Sequence, residues 1–141
     1  GEPLKPLGKV ASGGELSRIA LAVKTVMADT DEIPTLIFDE IDTGISGRTA
    51  WKVAEQLSIL AGAHQVICIT HLPQIAAMAD VHFIIEKSST DDMTITDIHK
   101  VAEEESLAEL ARLLGSDALT EAALSNAKEM KEQANGFKEA R

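Results

Sequence analysis

Apolar side chains recur along the chain in an order that predicts helices alternating with short strands. Residues 15–28 and residues 47–62 each place apolar side chains on one face at helical spacing. The first of these stripes consists of Leu16, Ile19, Ala20, Val23, Val26 and Met27. The second consists of Ala50, Val53, Ala54, Leu57, Leu60 and Ala61. Continuous apolar runs at 35–38 and 65–70 are typical of strands buried on both faces of a parallel sheet.

The remaining elements follow from the same pattern. A short helix is expected from Pro73, because proline suits the first turn of a helix. Residues 81–86 predict a third strand and residues 93–101 a fourth, which would pair as a hairpin across a turn at 91–92. Two more polar helices are expected, at about 105–114 and 120–135. Both carry apolar stripes, which suit either packing on the domain or a connection to the base of a coiled coil.

Strands alternating with helices predict an α/β fold, here a mostly parallel sheet with flanking helices and a β-hairpin. The 141 residues fit one domain, and 45% hydrophobic content with only 3% aromatic residues indicates an aliphatic core. No apolar stretch approaches the ~20 residues of a membrane helix. Residues 1–11 are expected to be an extended lead-in. Because the chain opens on Gly1 rather than Met, we expect it to be part of a longer protein.

Charge and cysteine content narrow the classes of function. The 13 basic and 23 acidic residues give a net charge of −10, which argues against a DNA-coating domain. Residues 1–28 nevertheless hold four basic and two acidic side chains, a local charge of +2, and are the part best suited to face an anion. The single cysteine, Cys68, excludes a disulfide within the chain and suits a reducing cytoplasm. Its apolar neighbours predict a buried, inert thiol.

The first candidate for chemistry is the turn from Ser12 through Gly13 and Gly14 to Glu15. A serine followed three residues later by glutamate predicts a capping box, which satisfies two backbone donors of the helix that follows. The two glycines also leave the amides bare at a positive helix N-terminus, and such a turn suits a phosphate. Both interpretations fit the four residues.

The second candidate is the acidic pair Asp39 and Glu40, which ends the apolar run 35–38. Such a pair could simply begin a turn. At the carboxyl end of a strand, however, the first carboxylate could hold Mg²⁺ and the second could act as a general base toward a water. His71 ends the next apolar run in the same way, and either stabilises that turn or donates a hydrogen bond to a phosphate.

The order of these features resembles the ATPase heads of the ABC family. Ser12 to Glu15 resembles the signature motif, Thr35 to Glu40 the Walker B motif, and Ile41 to Ser46 the D-loop, while His71 resembles the H-loop histidine. Residues 9–18, 38–47 and 70–80 look most like an SMC-like coiled-coil ATPase of bacterial DNA repair.

The resemblance implies two groups of residues around ATP and Mg²⁺. For the nucleotide of its own head, Asp39 would help to hold Mg²⁺, Glu40 would activate the hydrolytic water and His71 would contact the γ-phosphate. Arg18 could support the contact between heads, bind DNA or be a solvated surface charge.

The second group would act on a neighbouring head. Ser12, Gly13 and Gly14 would bind the γ-phosphate of ATP held by that head, together with Glu15, where transporters of the family usually have Gln. Asp42 of the D-loop would help to join the two heads. The expected partners are therefore a second copy, the N-terminal lobe of the same head, and DNA through the full-length protein.

One part of such a head is missing from the sequence. No phosphate-binding loop of the form G-x-x-x-x-G-K-[ST] occurs, nor does a heptad run. The chain is therefore expected to be the C-terminal half of a head, inactive alone, in a cytoplasmic, nucleoid-associated protein of DNA double-strand break repair and recombination. Two alternatives stay open, a head lobe of another SMC, Rad50 or RecF type and a non-catalytic dimerisation module. An apolar patch is expected where the other lobe would pack.

Overall fold

A computed structural model of the chain describes residues 6, 11–28, 30, 32–90, 93–115 and 119–140. Its elements are α1 (Gly13–Val26), β1 (Thr35–Phe38), α2 (Gly47–Leu60), β2 (Gln65–Cys68), α3 (Pro73–Met78), β3 (Phe83–Thr90), β4 (Met93–Lys100), α4 (Glu103–Leu113) and α5 (Glu121–Glu139). Most of the expected lead-in over 1–11 and the expected turn at 91–92 lie outside the described residues.

The strands form two small sheets. β1 and β2 pair in parallel, with Phe38 opposite Cys68, while β3 and β4 form an antiparallel hairpin in which Ile85 lies opposite Ile98. The α/β fold class, the parallel pair and the hairpin are therefore confirmed. Within the described residues the hairpin is a separate sheet and does not extend the parallel pair.

The core lies between the parallel pair and the helices, with Leu21 as the contribution of α1. Its side chains are mainly aliphatic, as the composition predicts, with Phe38 and Met78 as the exceptions; Ile41, Leu60 and Leu110 are fully buried. The stripe predicted for α2 is buried from Ala50 to Leu60, whereas Ala61, the C-cap, is exposed. Pro73 lies in the first turn of α3, as expected.

The prediction that both strands of the parallel pair are buried on both faces is wrong for this chain. Leu36 and Phe38 face the core, but Ile37 between them is 68% exposed. Its register partner Ile67 and the following Ile69 are also exposed. Because side chains alternate along a strand, one face of the sheet is covered by helices, while the described residues leave the other face open.

The helix predicted at 15–28 forms, but its buried face differs from the predicted one. The large apolar residues of the predicted stripe, such as Ile19, Val23 and Val26, are exposed. Gly14 and Leu21 are the buried positions of α1. The physical reason is that α1 packs through a partly polar face, described below, whereas its apolar face has no cover among the described residues. The exposed apolar side chains of α1 and of Ile37, Ile67 and Ile69 on the sheet, which we call the apolar patch, are the exposed apolar surface that the sequence led us to expect.

Leu60 provides a test of this core. Leu60→Ala is expected to lower the free energy of unfolding by about 2–5 kcal/mol, because the side chain is fully buried and its loss leaves a cavity. Ile59→Ala, one residue earlier on the exposed side of α2, should cost less than half as much. Urea unfolding followed by the fluorescence of Trp51, the single tryptophan, measures both. Equal losses would show that Leu60 is not a core residue.

Candidate functional site

The predicted site residues that follow the two parallel strands lie at the same edge of the sheet. β1 ends at Phe38 and β2 at Cys68, and these residues are register partners. The amide of Ile69 donates to the carbonyl of Phe38 at 3.1 Å, which continues the ladder by one residue. The turns that begin at Asp39 and at Thr70 therefore leave the sheet side by side, at the position where α/β folds collect ligands.

Residues 39–43, which we call the acidic turn, have an unusual backbone. Asp39 Oδ1 accepts a hydrogen bond from the amide of Glu40 at 2.9 Å, and the carbonyl of Glu40 accepts one from the amide of Thr43 at 3.0 Å. Glu40 has a φ of 57°, in the left-handed region that residues other than glycine rarely adopt. Surrounding contacts must hold such a conformation, and residues of this kind cluster at functional sites.

The turn that opens α1 is the predicted capping box. The amide of Glu15 donates to Ser12 Oγ at 3.3 Å, and the amide of Ser12 donates to Glu15 Oε2 at 2.8 Å. The hydrogen bonds from the Ser12 backbone and hydroxyl lower the pKa of Glu15, because they stabilise its charged form. Both side chains thus have a structural role within the turn. Of the two glycines between them, Gly13 is exposed to solvent and Gly14 is buried.

The two glycines also pack against the acidic turn of the same chain. A Cβ added to Gly14 would lie 2.8 Å from the carbonyl oxygen of Glu40 and 3.0 Å from Thr43 Cβ. A Cβ added to Gly13 would overlap the carboxylate of Glu40. The small size of Gly14 is therefore required for the start of α1 to lie directly on the backbone of the acidic turn, whereas a side chain at residue 13 would displace only the exposed carboxylate of Glu40.

Two further residues of α1 hold the acidic turn, and the sequence did not assign them this role. Ser17 Oγ donates to the carbonyl of Asp39 at 3.0 Å. One guanidinium nitrogen of Arg18 donates to the carbonyls of Ile41 and Thr43, at 3.0 Å and 2.8 Å. Arg18 is accordingly not a solvated charge. The sequence contained a signal for this role, because Ser17 and Arg18 follow Gly14 at a spacing of three and four residues, which places all three on one face of the helix.

Asp42 lies inside the acidic turn and binds the residues that follow β2. The side chain of Asp42 is 5% exposed, and its Oδ2 accepts hydrogen bonds from Thr70 Oγ1 at 2.7 Å and from the amide of His71 at 2.9 Å. His71 Nδ1 also lies 2.9 Å from this oxygen. The carboxylate of Asp42 is thus enclosed by its own chain, where it orients His71. The contribution of Asp42 to the contact between two heads stays a prediction. The imidazole itself is 72% exposed.

The donor set of the acidic turn suits one kind of metal. Among the described residues no group of three or more His, Cys, Asp or Glu could hold a metal ion by itself. Asp39 offers a carboxylate at the exposed edge of the sheet. Mg²⁺ typically uses one or two protein carboxylates and completes its shell with water and substrate phosphates. Asp39 therefore fits a nucleotide-bound Mg²⁺ and does not fit a metal held by protein alone.

Cys68 lies next to this edge but is not suited to chemistry. Burial and the nearby carboxylates of Asp42 and Asp39 raise the pKa of its thiol to about 12. Since the thiolate is the reactive form, the thiol is unreactive near neutral pH, as its apolar neighbours suggested.

Comparison with known proteins gives a consistent result along almost the whole chain. No family model matches it. It is 46% identical to the DNA repair protein RecN of Bacillus subtilis over 98% of its length, and 51% identical to RecN of Treponema pallidum over 92%. The RecN of Deinococcus radiodurans is 50% identical over 92%. The chain covers 24%, 23% and 22% of these three proteins, so it spans about a quarter of the length of the relatives it matches.

Proposed function

We propose that this chain, which belongs to the RecN family, is the C-terminal half of the ATP-binding and ATP-hydrolysing head of a DNA repair protein. One observation carries the proposal: the turn from Ser12 to Glu15, which we call the signature turn, lies with the acidic turn and His71 at one edge of the sheet, linked by direct contacts. The relatives' name, DNA repair protein RecN, supports the biological role.

On this proposal three side chains act on the nucleotide of the chain's own head. Asp39 holds Mg²⁺, which supplies charge stabilisation to the phosphates when it is bound. Glu40 accepts a proton from the attacking water as general base. His71 turns its Nδ1 toward Asp42, which leaves Nε2, on the exposed imidazole, as the ring nitrogen that meets the γ-phosphate.

The signature turn serves the nucleotide of a second head. The N-terminus of α1 combines bare glycine amides with a positive helix end, and both favour a phosphate. We place Ser12, Gly13 and Gly14 against the γ-phosphate of the neighbour's ATP, with Glu15 as the residue that fixes Ser12. ATP held between two such heads then drives their association.

The open apolar patch supports the proposal that half of the head is missing. Ile37 and Ile67 on the sheet, and Ile19 and Val23 on α1, are exposed although their types favour burial. The chain contains no phosphate-binding loop, and its relatives are about four times longer. We assign the cover of this patch, together with the phosphate-binding loop, to an N-terminal lobe of the same protein. On this proposal domain 1–141 is the C-terminal half of one head.

The partners and location of the full-length protein follow from the same proposal. One partner is a second copy, bound through the heads. The other is DNA, bound through other parts of the protein, because a lobe with a net charge of −10 is poorly suited to contact phosphates. Within the described residues no helix is long and apolar enough to cross a membrane. We place the full-length protein in the cytoplasm, at the nucleoid.

Asp39→Ala in the full-length protein tests the proposal. We expect the turnover of Mg²⁺-ATP to fall by about 100-fold or more, because the carboxylate that holds the cation is lost. Asp97→Ala, which removes an exposed carboxylate on β4, is the matched control and should hydrolyse ATP normally. Phosphate release measured across a range of Mg²⁺ concentrations gives both values. Equal turnover in the two variants would contradict the role of Asp39.

A further inference from the structure

We infer that Ser17 and Arg18 are positioning residues that couple the two nucleotide sites within one chain. They tie the helix whose first turn meets the neighbour's nucleotide to the acidic turn that acts on the chain's own nucleotide. This inference rests on the proposed function, because it assigns a mechanical link between two sites of the proposed head. It adds to that function a reason why hydrolysis would follow the association of the heads.

Arg18 makes the central contact of this link. Its Nη1 donates to the carbonyls of Ile41 and Thr43, two residues apart in the acidic turn. Hydrogen bonds from an ionised donor are among the stronger ones in proteins, and one nitrogen that bridges two carbonyls fixes the turn between them. Asp42 lies between these two carbonyls in the chain, and its carboxylate binds the amide and Nδ1 of His71. The contact from Arg18 therefore also fixes the carboxylate that orients His71.

Ser17 and Gly14 extend the contact along the first turns of α1. Ser17 binds the carbonyl of Asp39, and Gly14 lies against the carbonyl of Glu40 without room for a methyl group. Carbonyls of four of the five residues of the acidic turn are thus contacted from one face of α1. A rigid helix held at this many points cannot shift without moving the turn, and the turn carries Glu40 in its left-handed conformation.

The link predicts an unusual separation of effects. The first turn of α1 keeps its capping box without Arg18, because Ser12 and Glu15 bind each other. Loss of Arg18 should therefore leave the signature turn able to meet a phosphate, while Glu40 and His71 lose their fixed geometry. An arginine that merely stabilised the fold would affect both properties together.

The experiment uses the full-length protein with Arg18→Ala, Arg18→Lys and Ser17→Ala. Arg112→Ala is the matched control, since Arg112 is a helical arginine on α4 that pairs with Glu109. ATP turnover gives kcat and KM, and light scattering with a non-hydrolysable ATP analogue gives the association of the heads. For Arg18→Ala we expect kcat to fall by about 10- to 100-fold, since small misplacements of catalytic groups have effects of this size. KM and head association should change by less than about threefold, and Arg18→Lys should recover part of kcat.

Two results would overturn the inference: a kcat for Arg18→Ala equal to that of the control, or a parallel loss of kcat and head association. If Arg18→Ala does not fold, as judged by circular dichroism, Ser17→Ala and Arg18→Lys decide. A reduced kcat with normal association in this pair supports the link, and a normal kcat in both overturns it. Glu40→Gln in the same assay distinguishes a failure of the proposed function from a failure of the link alone. Full turnover by Glu40→Gln would defeat the proposed function itself, whereas an inactive Glu40→Gln beside a fully active Arg18→Ala would defeat only the link.

Discussion

Glu40→Gln in the full-length protein is expected to reduce ATP turnover by roughly 10²- to 10⁴-fold, the range that general acid–base catalysis contributes. The amide has nearly the shape of the carboxylate but cannot take a proton from water. The left-handed backbone and the hydrogen bond from the amide of Thr43 to the carbonyl of residue 40 do not depend on the side chain, so the acidic turn should keep its form. Binding of ATP should remain, and the ATP-associated form of the heads should accumulate.

The measurement is phosphate release together with the binding of a fluorescent ATP analogue. Glu104→Gln, at an exposed position in the first turn of α4, makes the same chemical change away from the site and should leave turnover unaltered. If Glu40→Gln hydrolyses ATP as fast as this control, the acidic turn is not catalytic. The chain would then be better described as a dimerisation module.

Ser12→Arg is expected to weaken the ATP-driven association of two heads by about 100-fold or more, a loss near 3 kcal/mol. The new side chain would occupy the mouth of the signature turn, where the neighbour's γ-phosphate must enter. Binding of ATP to the chain's own head should not change, because the signature turn does not contribute to that site on the proposal. Sedimentation or light scattering with the non-hydrolysable analogue measures the association.

Loss of the helix cap must be separated from this effect, since Ser12 is also the N-cap of α1. Removing a cap of this kind typically costs about 1 kcal/mol of stability. Thr120 is the N-cap of α5 and accepts a hydrogen bond from the amide of Ala123 at 3.2 Å, so Thr120→Arg removes an equivalent cap away from the site. Comparable association of the two variants would count against a signature role for Ser12.

Local features of this chain could be predicted from its sequence. The capping box depends on residues three apart, and the short apolar runs at 35–38 and 65–70 place Asp39 directly after β1 and His71 in the turn that follows β2. Such signals act over one turn or one strand and do not require knowledge of the tertiary structure. The same locality explains why the hairpin was predicted correctly from alternation and a turn signal between its strands.

The errors arose where a distant part of the chain decides the outcome. Helical spacing showed that α1 has an apolar face, but it could not show that the opposite face, with Ser17 and Arg18, packs on the acidic turn. Nor could it show that Asp42 is enclosed by Thr70 and His71, which lie 28 and 29 residues further on. Hydrogen bonds to backbone carbonyls leave no mark on the residues that accept them, so sequence patterns cannot reveal them.

The central claim is that this chain holds one half of an ATPase head, and ATP hydrolysis by the chain with and without its missing lobe tests it most directly. Phosphate release would be followed for residues 1–141 alone, and for the same residues joined to the rest of the head. We predict no turnover above background for the chain alone. The joined protein should turn over Mg²⁺-ATP, and Glu40→Gln should abolish this activity. Clear turnover by the chain alone that Glu40→Gln removes would contradict the account.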